Sequence, residues 1–155
     1  MNSQQSQSDQ PQAVLIVDDD LVVRQALRNL LSDEGYEPLV AADGVEAMDA
    51  LLLRPDRLVV LLDLLMPRLS GREVLSLAEY DDTLTDRHAF IIITANRGLL
   101  ARRIAVNPGL AKFLLRHAIP IIDKPFDVET VLQIVASATY RLRAAIPPRM
   151  ETDQG

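Results

Sequence analysis

The chain has 155 residues, 48% apolar and 25% charged, with a formal net charge of -6 and no cysteine. That length is one ordinary domain, able to bury roughly two thirds of the surface its unfolded form exposes. The acidic balance gives no electrostatic footprint for nucleic acid, and no apolar run reaches the ~18 residues of a membrane helix. Without cysteine there are no disulfides, thiolate metal sites or thiol nucleophiles.

Residues 1–12 are rich in Gln and Ser and lack both a basic and an apolar stretch, so they read as a disordered lead, not a signal peptide, and place the protein in the cytoplasm. Ala13 to Val17 is a short apolar, β-branched strand ended by Asp18, Asp19 and Asp20. From Leu21 to Glu34 the apolar positions fall at helical spacing, with Asp20 placed to cap the start and Gly35 the end. Glu37 to Ala41 is a second strand. Asp43-Gly44 turns the chain into a helix over Val45 to Leu53, which Pro55 ends.

Leu58 to Leu62 is an apolar run without alternation, suited to a strand covered on both faces, and it stops at Asp63; Pro67 and Gly71 forbid its continuation. A carboxylate at the carboxyl end of a buried strand is a functional candidate, although such an acid equally caps a turn. Gly71 to Tyr80 makes a third helix, Asp81 to Arg87 a polar loop, and His88 to Thr94 a strand. Two periodic stretches, Gly98 to Val106 and Leu110 to Ala118, are split by Asn107-Pro108-Gly109 into two short helices or one kinked one. Ile119 to Asp123 is the last strand and delivers Lys124. Asp127 to Arg143 is the closing helix, and Pro147-Pro148 begins a flexible tail over 146–155. Five strands alternating with five helices imply a parallel sheet with helices on both faces.

The strand ends then converge, and with them Asp18, Asp19, Asp63, Thr94 and Lys124. Clustered carboxylates repel one another unless a cation or shared protons neutralise them. Oxygen ligands at an open edge favour Mg2+, and no His or Cys stands there to recruit zinc. With the charge offset by a metal and a nearby Lys, one carboxylate can attack a phosphoryl group, while a hydroxyl and an ammonium complete the phosphate shell.

These markers, Val17-Asp18-Asp19-Asp20, Asp63 with Met66-Pro67 and Gly71, Ile93-Thr94-Ala95, and Lys124-Pro125-Phe126, resemble those of the receiver domain of two-component response regulators, the family that includes the single-domain chemotaxis regulator. The resemblance runs from about 13 to 143. It implies a doubly wound α/β domain, a five-stranded parallel sheet of flavodoxin-like (βα)5 topology with strand order 2-1-3-4-5. It further implies that Asp63 accepts phosphoryl from a histidine kinase or histidine phosphotransfer protein. Asp19 would bind Mg2+ directly and Asp18 mainly through water, with Asp63 and the backbone carbonyl of Leu65 as further ligands. Thr94 would hydrogen-bond the phosphoryl group, and Lys124 would pair with another of its oxygens, aimed by a cis Lys124–Pro125 bond. Leu65 and Asn96 stand where the family tunes how fast phosphate is lost; an apolar Leu65 either slows that loss by hindering water or merely packs.

The chain departs from the family at Ile121, where many receivers carry an aromatic switch residue, and around Asn107-Pro108-Gly109, which lengthens the fourth-helix region of a receiver domain spanning 13–145. His88 and His117 read as surface or packing residues, not as phosphohistidines. Arg97, Arg102, Arg103 and Arg116 read as a solvated face, with a docking patch for an acidic partner as the lesser reading. The expected output is an unknown downstream protein target, not an attached domain, with a homodimer open and no contact to nucleic acid or membrane. The chain would be no turnover enzyme beyond its own phosphorylation and dephosphorylation. A receiver-like scaffold or dimerisation module is the alternative; a phosphohydrolase wants an acid where Leu65 stands, and a flavin phosphate would meet three acids after the first strand.

Overall fold

The computed structural model describes residues 10–66 and 68–145. The expected tail, most of the expected lead and Pro67 lie outside them. Residues at the end of the lead are tied down: Gln12 Nε2 donates to the carbonyls of Ala13 and Arg57 at 2.9 and 2.8 Å.

Five strands, β1 (Ala13–Val17), β2 (Glu37–Ala41), β3 (Val59–Asp63), β4 (Ala89–Thr94) and β5 (Ile121–Asp123), pair in parallel in the order β2-β1-β3-β4-β5. The predicted doubly wound sheet and its strand order are present. The helices among the described residues are α1 (Leu21–Asp33), α2 (Gly44–Leu53), α3 (Gly71–Tyr80), α4 (Asp82–Arg87), α5 (Arg97–Val106), α6 (Pro108–Arg116) and α7 (Val128–Ala144).

These seven helices correct the expected five. The stretch 81–87 is not a plain loop: Asp81 Oδ1 accepts from the Thr83 amide at 3.0 Å and its hydroxyl at 2.6 Å, and buried Leu84 anchors the short α4. The lengthened region resolves into α5 and α6 because Asn107 Oδ1 accepts from the Leu110 amide at 3.2 Å while Pro108 supplies a first-turn residue with no amide to satisfy. β5 begins two residues later than predicted. Pro120 has no N–H for a ladder, although its carbonyl still accepts from the Ile92 amide at 2.9 Å.

Strand residues alternate between two cores. Leu15, Val17, Val60, Leu62, Phe90 and Ile92 pack with α2, α3, α5 and α6. Val14, Ile16, Val59, Leu61, Ile91 and Ile93 pack with α1 and α7. Each such apolar side chain contributes ~1.5–3 kcal/mol by leaving water, so β1, β3 and β4 are fixed from both sides and their carboxyl ends are held in register.

Candidate functional site

That register brings the predicted residues together. Asp63 closes β3, Thr94 closes β4, Asp18 and Asp19 follow β1, and Lys124 follows β5. One carboxylate oxygen from each of Asp18, Asp19 and Asp63 lies within 4.8 Å of the others. Asp18, Asp63 and Thr94 are buried, whereas Asp19 is exposed. Lys124 Nζ donates to Asp18 Oδ2 at 2.5 Å and stands 3.5 Å from Asp63 Oδ2.

Local chemistry holds each acid in place. Asp20 caps α1 as predicted, its Oδ1 accepting from the Val22 amide at 2.9 Å, and its own amide donates to Asp18 Oδ1 at 2.9 Å. Arg24, which sequence reasoning did not single out, donates to the Asp18 carbonyl at 2.7 Å. Asp63 Oδ1 accepts from the Leu65 amide at 3.2 Å. Gly71 is required because a Cβ there would overlap the Asp63 carbonyl oxygen, so α3 begins directly against the backbone of the acid. A capping box of Ser70 and Glu73 fixes that helix start.

The electrostatics follow from burial. Desolvation pushes the Asp63 carboxyl above the usual aspartate range; the Asp18 charge adds to this, and the Leu65 amide and Lys124 only partly offset it. Burial alone would lower Lys124, but its hydrogen bond to Asp18 and the charges of Asp63 and Asp18 outweigh that and raise it. Lys124 is therefore a fixed ammonium. Three carboxylates against one ammonium leave room for two positive charges, and the donors are all oxygen, which fits a hard divalent cation.

The flanking residues are also placed. The Thr94 hydroxyl accepts from the Asn96 amide at 3.1 Å, and the Thr94 carbonyl from the Lys124 amide at 2.8 Å. Asn96 is the N-cap of α5, its Oδ1 accepting from the Leu99 amide at 2.8 Å, a role its position before a helix could have suggested. The Leu65 side chain is 47% exposed. Ile121 is half-buried against the α3 side of the sheet. Lys124–Pro125 is cis, as expected. Arg97, read with the basic face, is engaged by Asp123, Nε to Oδ1 at 2.8 Å.

Two pairings escaped sequence reasoning. Arg68, at positive φ, pairs with the buried Asp43, and the neighbouring Leu69 carbonyl accepts from the Gly44 amide at 2.8 Å, so the loop after β3 is tied to the start of α2. His88 is buried, with Nδ1 accepting from the Leu58 amide and Nε2 facing the Leu51 carbonyl, both at 3.1 Å. His117 ends α6 with its ring 4.9 Å from that of Phe113. Neither histidine joins the acidic edge.

The family model of the response regulator receiver domain matches residues 14–136. The chain is 36% identical over 147 residues to the response regulator MprA of Mycobacterium sp. (strain KMS), covering 94% of this chain and 54% of that protein. It is 39% identical over 121 residues to MprA of Mycobacterium avium (strain 104), covering 77% and 47%. The chain thus spans about half the length of the curated relatives it matches. Among solved structures it is similar to a CheY-like receiver domain protein from Methanospirillum hungatei JF-1, with a TM-score of 0.64, 28% identity and coverage of 86% of this chain and 95% of that one. It is also similar to the response regulator TrrA of Thermotoga maritima in complex with Mg2+ and BeF, with a TM-score of 0.64, 26% identity and coverage of 82% and 98%. The chain belongs to the response regulator receiver family of two-component systems.

Proposed function

We propose that Asp63 is the phosphoryl acceptor of this receiver and that Mg2+ binds beside it. The observation that carries this is the three-carboxylate, oxygen-only cluster with Lys124 Nζ set between Asp18 and Asp63. A side-chain oxygen of Asp63 attacks the phosphorus of a phosphohistidine on a histidine kinase or phosphotransfer protein. A P–O bond forms, the P–N bond breaks, and the imidazole leaves neutral, its nitrogen taking a proton from water. Asp18, Asp19, Asp63 and the Leu65 carbonyl would hold Mg2+, which when bound neutralises the acids and the incoming phosphoryl oxygens. Lys124 pairs with one phosphoryl oxygen, and Thr94 donates its hydroxyl proton to another.

Phosphorylation is read through Thr94 and the Asn96-capped start of α5, without an aromatic ring at Ile121, by a protein target or a second copy of the chain. No helix of the described residues is long and apolar enough to cross a membrane. The proposed chemistry is confined to phosphorylation and dephosphorylation of Asp63 itself. Leu65, apolar beside the site, slows the loss of phosphate by hindering water; rapid decay in Mg2+ with no phosphatase present would sink that part.

Intact mass after incubation with acetyl phosphate and Mg2+ tests the assignment. One phosphoryl group on the wild type and none on Asp63→Asn is the expected result. If neither protein gains mass while Mg2+ still binds, the acids are a structural metal site and the scaffold alternative replaces this one.

A further inference from the structure

Beside the acidic edge a cleft of about 150 Å3 opens between the loop after β3, α3 and the α5–α6 pair. Its floor is apolar, made by Met66, Leu75, Leu100 and Leu110, all buried. Arg72 of α3 and Arg103 of α5 line it too, and among the described residues no carboxylate does. Neither guanidinium has an ion pair among the described residues. Glu73, next to Arg72, is held by the Ser70 amide at 2.6 Å, and Asp123 is taken up by Arg97 at the start of α5. The wall over the cleft is lightly held, since of the ten residues of α5 only Leu100 is buried.

An apolar void of this size accommodates a ring or a branched side chain, and two unpaired guanidinium groups beside it call for a carboxylate. We propose that this cleft docks an acidic peptide segment of a partner protein, one bulky apolar side chain filling the floor and a neighbouring carboxylate pairing with Arg72 and Arg103. The apolar burial supplies most of the affinity, and the exposed ion pairs choose the partner. Thr94 and Asn96 also line the cleft, so the occupant lies beside the strand end at the site. This surface lies on the α3 side of α5. It accounts for Arg103, one member of the basic cluster on the lengthened region, by a pocket and not by a solvated face.

The test uses the full chain without any phosphodonor, so its outcome is independent of Asp63. Methyl NMR follows titration with an acetylated, amidated Phe-Asp dipeptide and with its Phe-Lys counterpart. The expected result is saturable shifts at the Leu99, Leu100 and Leu110 methyls for Phe-Asp, at least fivefold weaker for Phe-Lys, with the preference reversed in Arg72→Glu/Arg103→Glu. Should that variant lose its folded spectrum, Arg72→Gln/Arg103→Gln is used, and the two dipeptides should then bind alike. Equal binding of both dipeptides to the wild type, shifts centred elsewhere, no saturable shift, or a variant that keeps the acidic preference would each overturn the proposal.

Discussion

Asp63 is a buried acid whose ionisation the fold resists. Desolvation and the Asp18 carboxylate raise its pKa, and Lys124, already 2.5 Å from Asp18, offsets this only in part. For an acid with a raised folded pKa, stability is fully present below the unfolded value near 3.9 and is lost as pH rises through the folded value. At neutral pH and in chelator Asp63 therefore destabilises the protein. Asp63→Asn is expected to raise the thermal midpoint at pH 7 in EDTA by on the order of 1 kcal/mol, or ~2–4 °C. It should also remove the decline between acid and neutral pH. An unchanged or lower midpoint would mean that the ammonium already compensates the acid. The acids, Thr94 and Lys124 were legible in the sequence because each stands where an apolar run stops, a signal carried by a few adjacent residues. Arg24, Asp43 and Arg68 were not, because their roles depend on side chains meeting across elements and nothing in their neighbourhoods announces the partner.

α1 behind Asp20 and α3 behind Ser70 with Glu73 lie within a residue of their predicted bounds, whereas α6, expected over 110–118, begins and ends two residues earlier because Asn107 caps it at Pro108. The misread element, α4, has six residues and one buried side chain, too few to show a period. His88 fastens the α4–β4 junction to two other elements. Its ring accepts from Leu58 at the entry to β3 and donates to the Leu51 carbonyl of α2, so it must be neutral, with the proton on Nε2. Burial lowers its pKa, and the nearby Arg87 and Arg57 add to this against the Leu51 carbonyl and Asp56. With a lowered folded pKa, the stability is fully present above the unfolded value near 6.5 and is lost as pH falls through the folded one. The His88 contribution should fade below about pH 6.5, so that the advantage of the wild type over His88→Gln, about 1 kcal/mol at pH 8, shrinks as pH falls. Parallel profiles for the two proteins would place the acid sensitivity elsewhere. On the same edge Arg57 donates to the carbonyls of Asp86, Arg87 and Leu142 at 2.6, 3.1 and 3.2 Å, tying the ends of α4 and α7 together and neutralising their exposed carbonyls.

At the scale of the molecule, one sheet serves two cores, and the site lies at the rim where both meet. Val74 of α3 and Val135 of α7 are fully buried on opposite faces, so truncating either to Ala should cost roughly 1–3 kcal/mol. With no shared partner across the sheet, the double variant should lose the sum within about 0.5 kcal/mol. The site adds a separate contribution. A cation bound only by the folded chain stabilises it by about 2.7 kcal/mol at one hundred times its Kd. If Asp18 and Asp19 hold Mg2+, that increment should be equal in the wild type and both valine variants, because both valines belong to the apolar cores, and should largely vanish in Asp18→Asn/Asp19→Asn. Denaturant unfolding of these proteins and the double valine variant, with and without saturating Mg2+, reads both quantities. An increment that shrinks with the core truncations would show that the rim is not preformed and that the metal helps to assemble it; one that survives loss of both acids would move the cation away from β1 altogether.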